Sequence, residues 1–302
     1  DSESFPMHIF RKYAKDVFED HQLSLLQRGE RQGEYILRQQ ISHYLFNSRG
    51  VTCHPNQVII GSSTSQLLDM ITNLLKKEEF IIEQPSYPPI KHTLDKKGIS
   101  YIQVPVEQNG IQIDPILHTN NNILYITPSH QFPTGYVTNI KKRTQLINWS
   151  HQAKQRYIIE DDYDSEFRYF AKLIPALQTL KNKYNNQKYK EGNTVPVHIQ
   201  HMVAQFMISG KFERHLNKMR KIYRDKLDYI LKRLKPYNTQ IKIEGALTGM
   251  HFTITVNNGL SMKQCLKNAK KNNLKLKPYH YENYSKAYPK FILGFGGIKK
   301  EE

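Results

Sequence analysis

The sequence is poor in cysteine and tryptophan and lacks long apolar runs. Its 302 residues include two cysteines and one tryptophan. Cys53 and Cys265 are far apart and have no metal-ligand spacing, which argues against a disulfide framework or a cysteine zinc site. No apolar run reaches the ~18 residues that a membrane span needs, and no signal peptide is visible. We therefore expect a cytoplasmic protein with no membrane segment and no metal site.

Acidic residues are also scarce. Lys and Arg number 44 against 27 Asp and Glu, which gives a formal net charge of +17. Such an excess is typical of nucleic-acid-binding proteins. However, the lysines are scattered and the chain is rich in Lys, Asn and Ile, which fits a general compositional bias better than one binding face. No basic recognition helix of the helix-turn-helix type stands out.

Hydrophobic residues make up 38% of the chain, enough for one large or two moderate domains. Apolar strand-like runs alternate with amphipathic segments over the first half. The pattern predicts helices at 38–50, 63–77 and 141–152, and strands at 57–63, 80–88, 100–106, 122–129 and 156–163. Strands separated by helices indicate an α/β fold, with a mostly parallel central sheet covered by helices.

The pattern changes beyond residue 210. A long amphipathic helix is predicted over 210–237, followed by a strand at 250–256, a helix at 261–273 and a strand at 290–297. This order is typical of a smaller α+β domain. We expect a large domain over 30–225 and a small domain formed by 1–29 and 226–302.

Three segments place polar or aromatic groups where strands of such a sheet would end, the usual place for ligands. The first is "GSSTSQ" (61–66), where hydroxyls and N–H groups at a helix start could bind phosphate, although ordinary Ser/Thr helix caps are commoner. The second is Tyr87 in "QPSYPP", which could stack on a planar ring or simply pack in a turn.

The third segment is "YIIEDDYDSEFRY" (157–169), in which five acids fall within seven positions. Asp161 ends a buried strand and Tyr163 lies two residues later, so both should point the same way. A carboxylate there suits a protonated ring nitrogen, and a phenol suits a ring oxygen. The alternative is a helix start with acids in its first turn. We assign the later acids, including Asp164, to such a helix start, and Asp161 to the site.

A phosphate cradle, a stacking aromatic and a ring-nitrogen carboxylate together describe a pyridoxal phosphate site. Their order and spacing resemble a fold-type I aminotransferase. Several strings resemble one branch closely, the MocR/GabR type of bacterial transcription regulator, and they are colinear over nearly the whole chain. Among them are "SFPMHIFRKY" (4–13), "TPSHQFPTG" (127–135), "IIEDDYDSEFRY" (158–169), "IPALQTL" (174–180) and "FILGFGGI" (291–298). The Lys- and Asn-rich composition resembles that of regulators from low-GC Gram-positive bacteria, including NorG-like controllers of drug efflux and PdxR-like controllers of vitamin B6 synthesis.

The resemblance implies roles for individual residues. Ser63, Thr64 and Ser65 would hold the phosphate, and Tyr87 would stack on the ring. Asp161 would pair with the pyridinium nitrogen and Tyr163 would bond the ring's phenolic oxygen. His130 would join the cofactor-binding set, and Phe132 takes the place where ordinary aminotransferases carry an Asn before Pro-Thr-Gly.

The resemblance also implies partners. Family members have a winged-helix DNA-binding domain upstream of the aminotransferase-like domain, and this chain resembles the latter alone. Fold-type I domains form homodimers. A small amino compound would be the effector.

The family's Schiff-base lysine and the phosphate-binding Arg that follows it are missing. The chain runs "PALQTLKNKYNNQKYKEGNTVPV" (175–197) directly into the next family helix, and none of the lysines in this loop matches the family motif. No catalytic residue is therefore assigned. A true deletion would expose the edges of the sheet. We expect instead that a segment of the natural chain is missing from this sequence near 184–189.

The substrate end of the site also departs from the family pattern. The Arg that binds a substrate carboxylate shortly before the last strand corresponds here to Lys290 in "YPKFILGFGG". A Lys binds a carboxylate as a point charge without the bidentate fork. Pro88 and Pro89 follow Tyr87 where GABA-sensing regulators carry an additional Arg, which argues against GABA as effector.

Three functions are compatible with these residues. The first is the effector-sensing and dimerisation domain of a pyridoxal-phosphate-dependent regulator, which Phe132 and the "EDDYDSEFRY" string favour. The second is a free-standing aminotransferase, which turnover of an amino donor with a keto acid would reveal. The third is a vitamin-transport or salvage module that never bonds the cofactor covalently.

Overall fold

A computed structural model describes residues 2–21, 23–75, 78–167, 169, 193–279 and 288–298. The chain divides into two compact units. The first comprises Asp1–Lys77, His92–Gly98 and Leu173–Met219, and the second Glu78–Lys91, Ile99–Lys172 and Arg220–Glu302. These units do not follow the predicted domain boundaries, which stay a prediction. The expected missing segment near 184–189 lies outside the described residues, as do Lys181, Lys183, Lys188 and Lys190.

The described residues form the following helices and strands, with short 3₁₀ turns between some of them. The helices are α1 (Met7–His21), α2 (Tyr35–Arg49), α3 (Thr64–Leu74), α4 (Pro88–Lys97), α5 (Asp114–Leu117), α6 (Ile140–His151), α7 (Val197–Ile208), α8 (Lys211–Leu234) and α9 (Met262–Lys271). The strands are β1 (Phe80–Gln84), β2 (Tyr101–Glu107), β3 (Gly110–Ile111), β4 (Ile123–Ile126), β5 (Tyr157–Glu160), β6 (Ile241–Glu244), β7 (His251–Val256), β8 (Lys277–Pro278) and β9 (Lys290–Gly294). No described helix has both the length and the apolar character to cross a membrane.

The first unit is helical, and α1 and α7 pack together to form part of its core. Tyr13 and Val17 lie four residues apart on α1, as Met202 and Phe206 do on α7, so each pair occupies one helix face. All four side chains are buried in one cluster. Tyr13 also donates a hydrogen bond of 2.7 Å to Ser209.

The predicted strand at 57–63 is wrong. Pro55–Gln57 form a 3₁₀ turn, and residues 58–62 have no strand partner. The backbone of Ile60 is bonded instead to loops: its N–H donates to the carbonyl of Gln32, and its carbonyl accepts from the side chain of Asn193. An apolar run in the sequence predicts that the segment is buried. It becomes a β-strand only if its backbone forms hydrogen bonds with a neighbouring strand.

The second unit contains the predicted parallel sheet. Its strand order is β3-β2-β1-β4-β5, in which β1 pairs in parallel with β2 and β4, and β4 pairs in parallel with β5. Every residue of β4 is buried, as are Phe80, Ile81 and Ile82 of β1. Such continuous apolar runs are typical of parallel strands covered on both faces. The predicted α/β fold class, with its fold-type I arrangement, is confirmed.

The same unit contains a second sheet, antiparallel throughout, with the order β6-β7-β9-β8. The strands predicted at 250–256 and 290–297 appear as β7 and β9, and the predicted helix at 261–273 appears as α9. Ser261 caps α9 by accepting a hydrogen bond from Gln264 N–H, while the Gln264 side chain accepts from Ser261 N–H.

Candidate active site

Strands β1, β4 and β5 end at the same edge of the parallel sheet, because they are neighbours and run in the same direction. The segments that follow them carry four of the predicted site residues. Tyr87 follows β1, His130 follows β4, and Asp161 and Tyr163 follow β5. The fold thus brings these four to one edge of one sheet.

Asp161 is a largely enclosed carboxylate without a basic partner among the described residues. Its Oδ2 accepts a hydrogen bond of 2.5 Å from the hydroxyl of Tyr125 on β4. Burial raises the pKa of Asp161, the Tyr125 hydrogen bond opposes that rise, and the negative charge of Asp164 adds to it. A cationic group placed here would lower the pKa and hold the carboxylate ionised.

Tyr163 is partly exposed to solvent, while its hydroxyl forms a hydrogen bond within the protein. The hydroxyl donates a hydrogen bond of 2.8 Å to the backbone carbonyl of His130, and the side chain remains 46% exposed. Strand β5 ends at Glu160, so the alternation expected for Asp161 and Tyr163 does not apply to them. The two residues share a sheet edge but do not belong to one strand face.

The assignment of Asp164 to a helix start is wrong. Residues 161–167 form bends and turns, and Asp164 is buried. Its Oδ2 lies 2.8 Å from Nδ1 of His130 and accepts a bond of 3.3 Å from the Met250 N–H. The carboxylate therefore joins the segments after β4 and β5 to the start of β7.

The aromatic residues of the site pack on each other. The ring of Tyr87 meets that of Phe132 edge-on, with centroids 5.6 Å apart and an interplanar angle of 80°. Phe132 in turn contacts His251, and Lys277 Nζ lies 5.6 Å from the Phe132 ring centroid. Phe132 thus contributes an apolar face where the aminotransferase Asn would have contributed a polar one. The stacking role of Tyr87 stays a prediction.

The predicted phosphate residues belong to the first unit. Ser63 is the N-cap of α3, and its hydroxyl accepts a hydrogen bond of 3.2 Å from Gln66 N–H. Thr64 and Ser65 form the first turn, and all three residues are exposed. The helix start therefore has the form of both an ordinary cap and an anion site. Their role as a phosphate cradle stays a prediction.

Lys290 is buried and paired. Its Nζ lies 3.1 Å from Oε2 of Glu244 and 4.9 Å from the ring centroid of Tyr279. Burial alone would raise the pKa of Glu244, but the charge of Lys290 and hydrogen bonds from Tyr136, Lys242 and Lys290 lower it. An effector carboxylate at Lys290 would have to compete with Glu244, so this role stays a prediction without support from the pairing.

Sequence reasoning missed Glu83. It lies in β1 and is fully buried, and its Oε2 accepts hydrogen bonds from the N–H and hydroxyl of Thr127 and from Gln131. No described residue forms a hydrogen bond with its Oε1. Burial raises the pKa of Glu83 to about 7. The signal was a lone acid inside the apolar run "FIIEQ", because a carboxylate there must be desolvated.

Comparisons with known proteins agree with this architecture. The model of the family "Aminotransferase class I and II" matches residues 5–163. The HTH-type transcriptional regulator YdeL of Bacillus subtilis is 31% identical, over 100% of this chain and 72% of YdeL. The probable rhizopine catabolism regulatory protein MocR of Rhizobium meliloti is 27% identical, over 64% of this chain and 46% of MocR.

Among solved structures, an archaeal alanine:glyoxylate aminotransferase superposes with a TM-score of 0.85 at 19% identity. The match covers 100% of this chain and 85% of that one. At this identity the likeness concerns the fold alone. The family match and the identity with YdeL go further: the chain belongs to the aminotransferase class I and II family, within its group of MocR-type transcriptional regulators.

Proposed function

We propose that this chain is the effector-sensing and dimerisation domain of a bacterial transcription regulator that depends on pyridoxal 5'-phosphate. The observation that carries the proposal is Asp161, an enclosed carboxylate at the end of β5 without a basic partner among the described residues. A protonated pyridine nitrogen is the positive group that such a carboxylate requires. The similarity to YdeL and MocR supports a regulatory role.

The chemistry of the predicted residues in each unit suits a different part of the cofactor. Asp161 would hold the proton on the ring nitrogen, and Tyr125 keeps its carboxylate in place. Tyr163 would bond the ring's phenolic oxygen in place of its hydrogen bond to the His130 carbonyl, and Tyr87 would cover one ring face. The N-terminus of α3, with Ser63, Thr64 and Ser65, offers N–H groups and hydroxyls of the kind that bind phosphate. When bound, the cofactor supplies an electron sink for amino compounds.

The lysine that would anchor the cofactor covalently would lie in a segment that we expect to be missing from this sequence near 184–189. The alignment with YdeL supports this reading. It extends over 337 positions although this chain has 302 residues, so YdeL carries about 35 residues without a counterpart here. A segment of that length is large enough for the family's lysine and its flanking strands.

The partners follow from the same proposal. DNA would be bound by a domain outside this chain, a small amino compound would be the effector, and two copies would form a homodimer. Such a regulator would work in the cytoplasm.

The test is a titration of pyridoxal 5'-phosphate into the protein, followed by absorbance in the visible and near-ultraviolet. We expect saturable binding at one site per chain, and an absorbance change when the correct amino compound is added. Failure to bind would contradict the proposal. Steady turnover of an amino donor with a keto acid would favour the second candidate, a free-standing aminotransferase.

A further inference from the structure

Two histidines and an aspartate form a buried cluster, of which only His130 belongs to the predicted cofactor-binding set. His130 lies after β4, Asp164 after β5, and His251 is the first residue of β7. Their relative exposures are 1%, 3% and 9%, and one donor atom of each lies within 4.8 Å of the others. The contact of Tyr163 with this cluster is mainly to the carbonyl oxygen of His130, so the cofactor proposal does not occupy the second ring nitrogen of that residue.

Both imidazoles are oriented as metal ligands usually are. His130 Nδ1 faces the carboxylate of Asp164 at 2.8 Å, and His251 is hydrogen-bonded to the carbonyl of Pro133. The Nε2 atoms of both rings have no hydrogen-bond partner among the described residues. A histidine that donates one ring N–H to a carboxylate or carbonyl presents the lone pair of its other nitrogen to a metal.

A purely structural role leaves the cluster poorly satisfied. Within the part of the chain that the structure describes, Oδ1 of Asp164 also lacks a hydrogen-bond partner, so three buried polar atoms of the cluster are unpaired there. Each such atom costs free energy unless something binds it. The backbone of Gly249 packs directly against the cluster, since a Cβ atom at this position would overlap both His130 and Asp164.

We propose that His130 and His251 bind a divalent transition-metal ion through their Nε2 atoms, with zinc as the best match, while Asp164 holds His130 through Nδ1 and water completes the coordination. Imidazole ligands suit zinc, nickel or cobalt, whereas calcium and magnesium prefer oxygen ligands alone. Two imidazoles bound through Zn–N bonds of about 2.1 Å at a tetrahedral angle would have centroids roughly 5.2 Å apart. The observed ring centroids are 4.3 Å apart, so the two rings would have to separate by about 0.9 Å.

The ion would link two segments of the second unit directly, those of His130 and His251, and a third through the hydrogen bond between His130 and Asp164. His130 and Asp164 follow strands of the parallel sheet, and His251 begins a strand of the antiparallel sheet. Metal binding would therefore stabilise the packing of one sheet against the other. Because Tyr163 is hydrogen-bonded to His130, the ion would also fix the position of a predicted cofactor residue.

The experiment uses tag-free protein from which metals have been removed with a chelator. Zinc is titrated by calorimetry and cobalt by visible absorbance, both without pyridoxal phosphate. We expect one tight site per chain and cobalt bands of a histidine-containing site. His251→Gln should abolish this site, and Asp164→Asn should weaken it about 10- to 100-fold. The control His92→Gln, an exposed histidine on α4, should bind as the wild type does.

An X-ray absorption spectrum of the wild-type zinc complex provides a test that needs no variant. It should show two imidazoles and oxygen in the first coordination sphere. Three results would overturn the proposal: no saturable binding by the wild type, equal binding by His251→Gln and His92→Gln, or a coordination sphere containing sulfur. The second would mean that zinc binds other surface histidines.

Discussion

At the scale of single residues, the sharpest prediction concerns Asp161. A charge-assisted hydrogen bond to the ring nitrogen contributes about 1.5–3 kcal/mol, and about 1.4 kcal/mol is a factor of ten in affinity. Asp161→Asn keeps the shape and one acceptor but loses the negative charge. We therefore expect pyridoxal 5'-phosphate to bind at least about tenfold more weakly to this variant, with altered absorbance of the bound cofactor.

The control for that measurement is Asp114→Asn. Asp114 is an exposed acid in the first turn of α5 and belongs to the second unit, like Asp161. This variant should bind the cofactor as tightly as the wild type, and circular dichroism should show both variants folded. If Asp161→Asn retained wild-type affinity, the assignment of the ring-nitrogen carboxylate would fail.

Glu83 gives a second prediction, in the dependence of stability on pH. Its pKa rises to about 7 in the folded protein because it is buried, whereas an unfolded Glu titrates near about 4.3. The folded state therefore binds this proton more tightly. Its contribution to stability is fully present below the unfolded pKa and is lost as pH rises through about 7. Glu83→Gln, which cannot ionise, should escape that loss.

Urea unfolding at pH 5 and at pH 8 measures the effect. Relative to the wild type, Glu83→Gln should gain up to about 3 kcal/mol between the two pH values. Glu107→Gln is the control. Its hydrogen bond and ion pair with Lys142 lower the pKa of Glu107, so both states are ionised throughout this range. If the free energy of unfolding differed between the wild type and Glu83→Gln by the same amount at both pH values, the assigned ionisation of Glu83 would be contradicted.

The acids of the "EDDYDSEFRY" string show what the sequence can resolve at this scale. The end of an apolar strand correctly indicated where the buried acids would lie. It did not show which of these acids would be buried and which would be exposed to solvent. Asp164 is buried because it contacts His130 and the backbone of Met250. Those partners are 34 and 86 residues away in the chain, and only the folded topology brings them together.

At the scale of elements, two matched helix caps separate capping from cofactor binding. Ser63 caps α3 and Ser261 caps α9, each by accepting a hydrogen bond from the N–H three residues later. Either serine changed to alanine should cost about 1 kcal/mol of stability. Only Ser63→Ala should also weaken pyridoxal 5'-phosphate binding, because only that cap is assigned to the phosphate.

Thermal or urea unfolding gives the stability of both cap variants, and a cofactor titration gives their affinity. If Ser63→Ala and Ser261→Ala bound pyridoxal 5'-phosphate with equal affinity, Ser63 would be an ordinary helix cap without a role in binding the phosphate. Inorganic phosphate offers a further comparison, since it should compete with the cofactor in the wild type and less effectively in Ser63→Ala.

The elements differ in how well the sequence predicts them. Strands β1, β4 and β5 were predictable because burial on both faces demands continuous apolar runs. Helices α1 and α7 were not assigned, although Tyr13 with Val17 and Met202 with Phe206 have helical spacing. The core they share depends on packing between segments about 180 residues apart in the sequence. Strand β6 has four residues, too few for an alternation to stand out.

At the scale of the whole molecule, the fold class followed from the order of strands and helices, and the family from colinear strings. The sequence did not show what the excess of basic residues does, since a net charge of +17 spread over 302 residues identifies no single binding surface. The order of strands and helices likewise gives no information about the oligomeric state. It has to be argued from apolar side chains that remain exposed.

Several large apolar side chains of the first unit are exposed in the single chain. The most exposed are Leu23 at 77% and Leu26 at 84%, and Met7, Phe18 and Phe46 are also more than half exposed. Exposed apolar side chains so close in sequence are typical of an interface. We expect an isologous homodimer that buries more than about 2,000 Å².

Light scattering at micromolar concentration should therefore show a dimer of the wild type. The double variant Leu23→Glu, Leu26→Glu should shift it towards monomer, because an interface would have to desolvate two carboxylates without partners. Leu274→Glu, at an exposed position of the second unit, should leave the dimer intact. A monomeric wild type would rule out this assembly. A double variant that remained fully dimeric would place the interface on another surface and leave Leu23 and Leu26 available to a different partner.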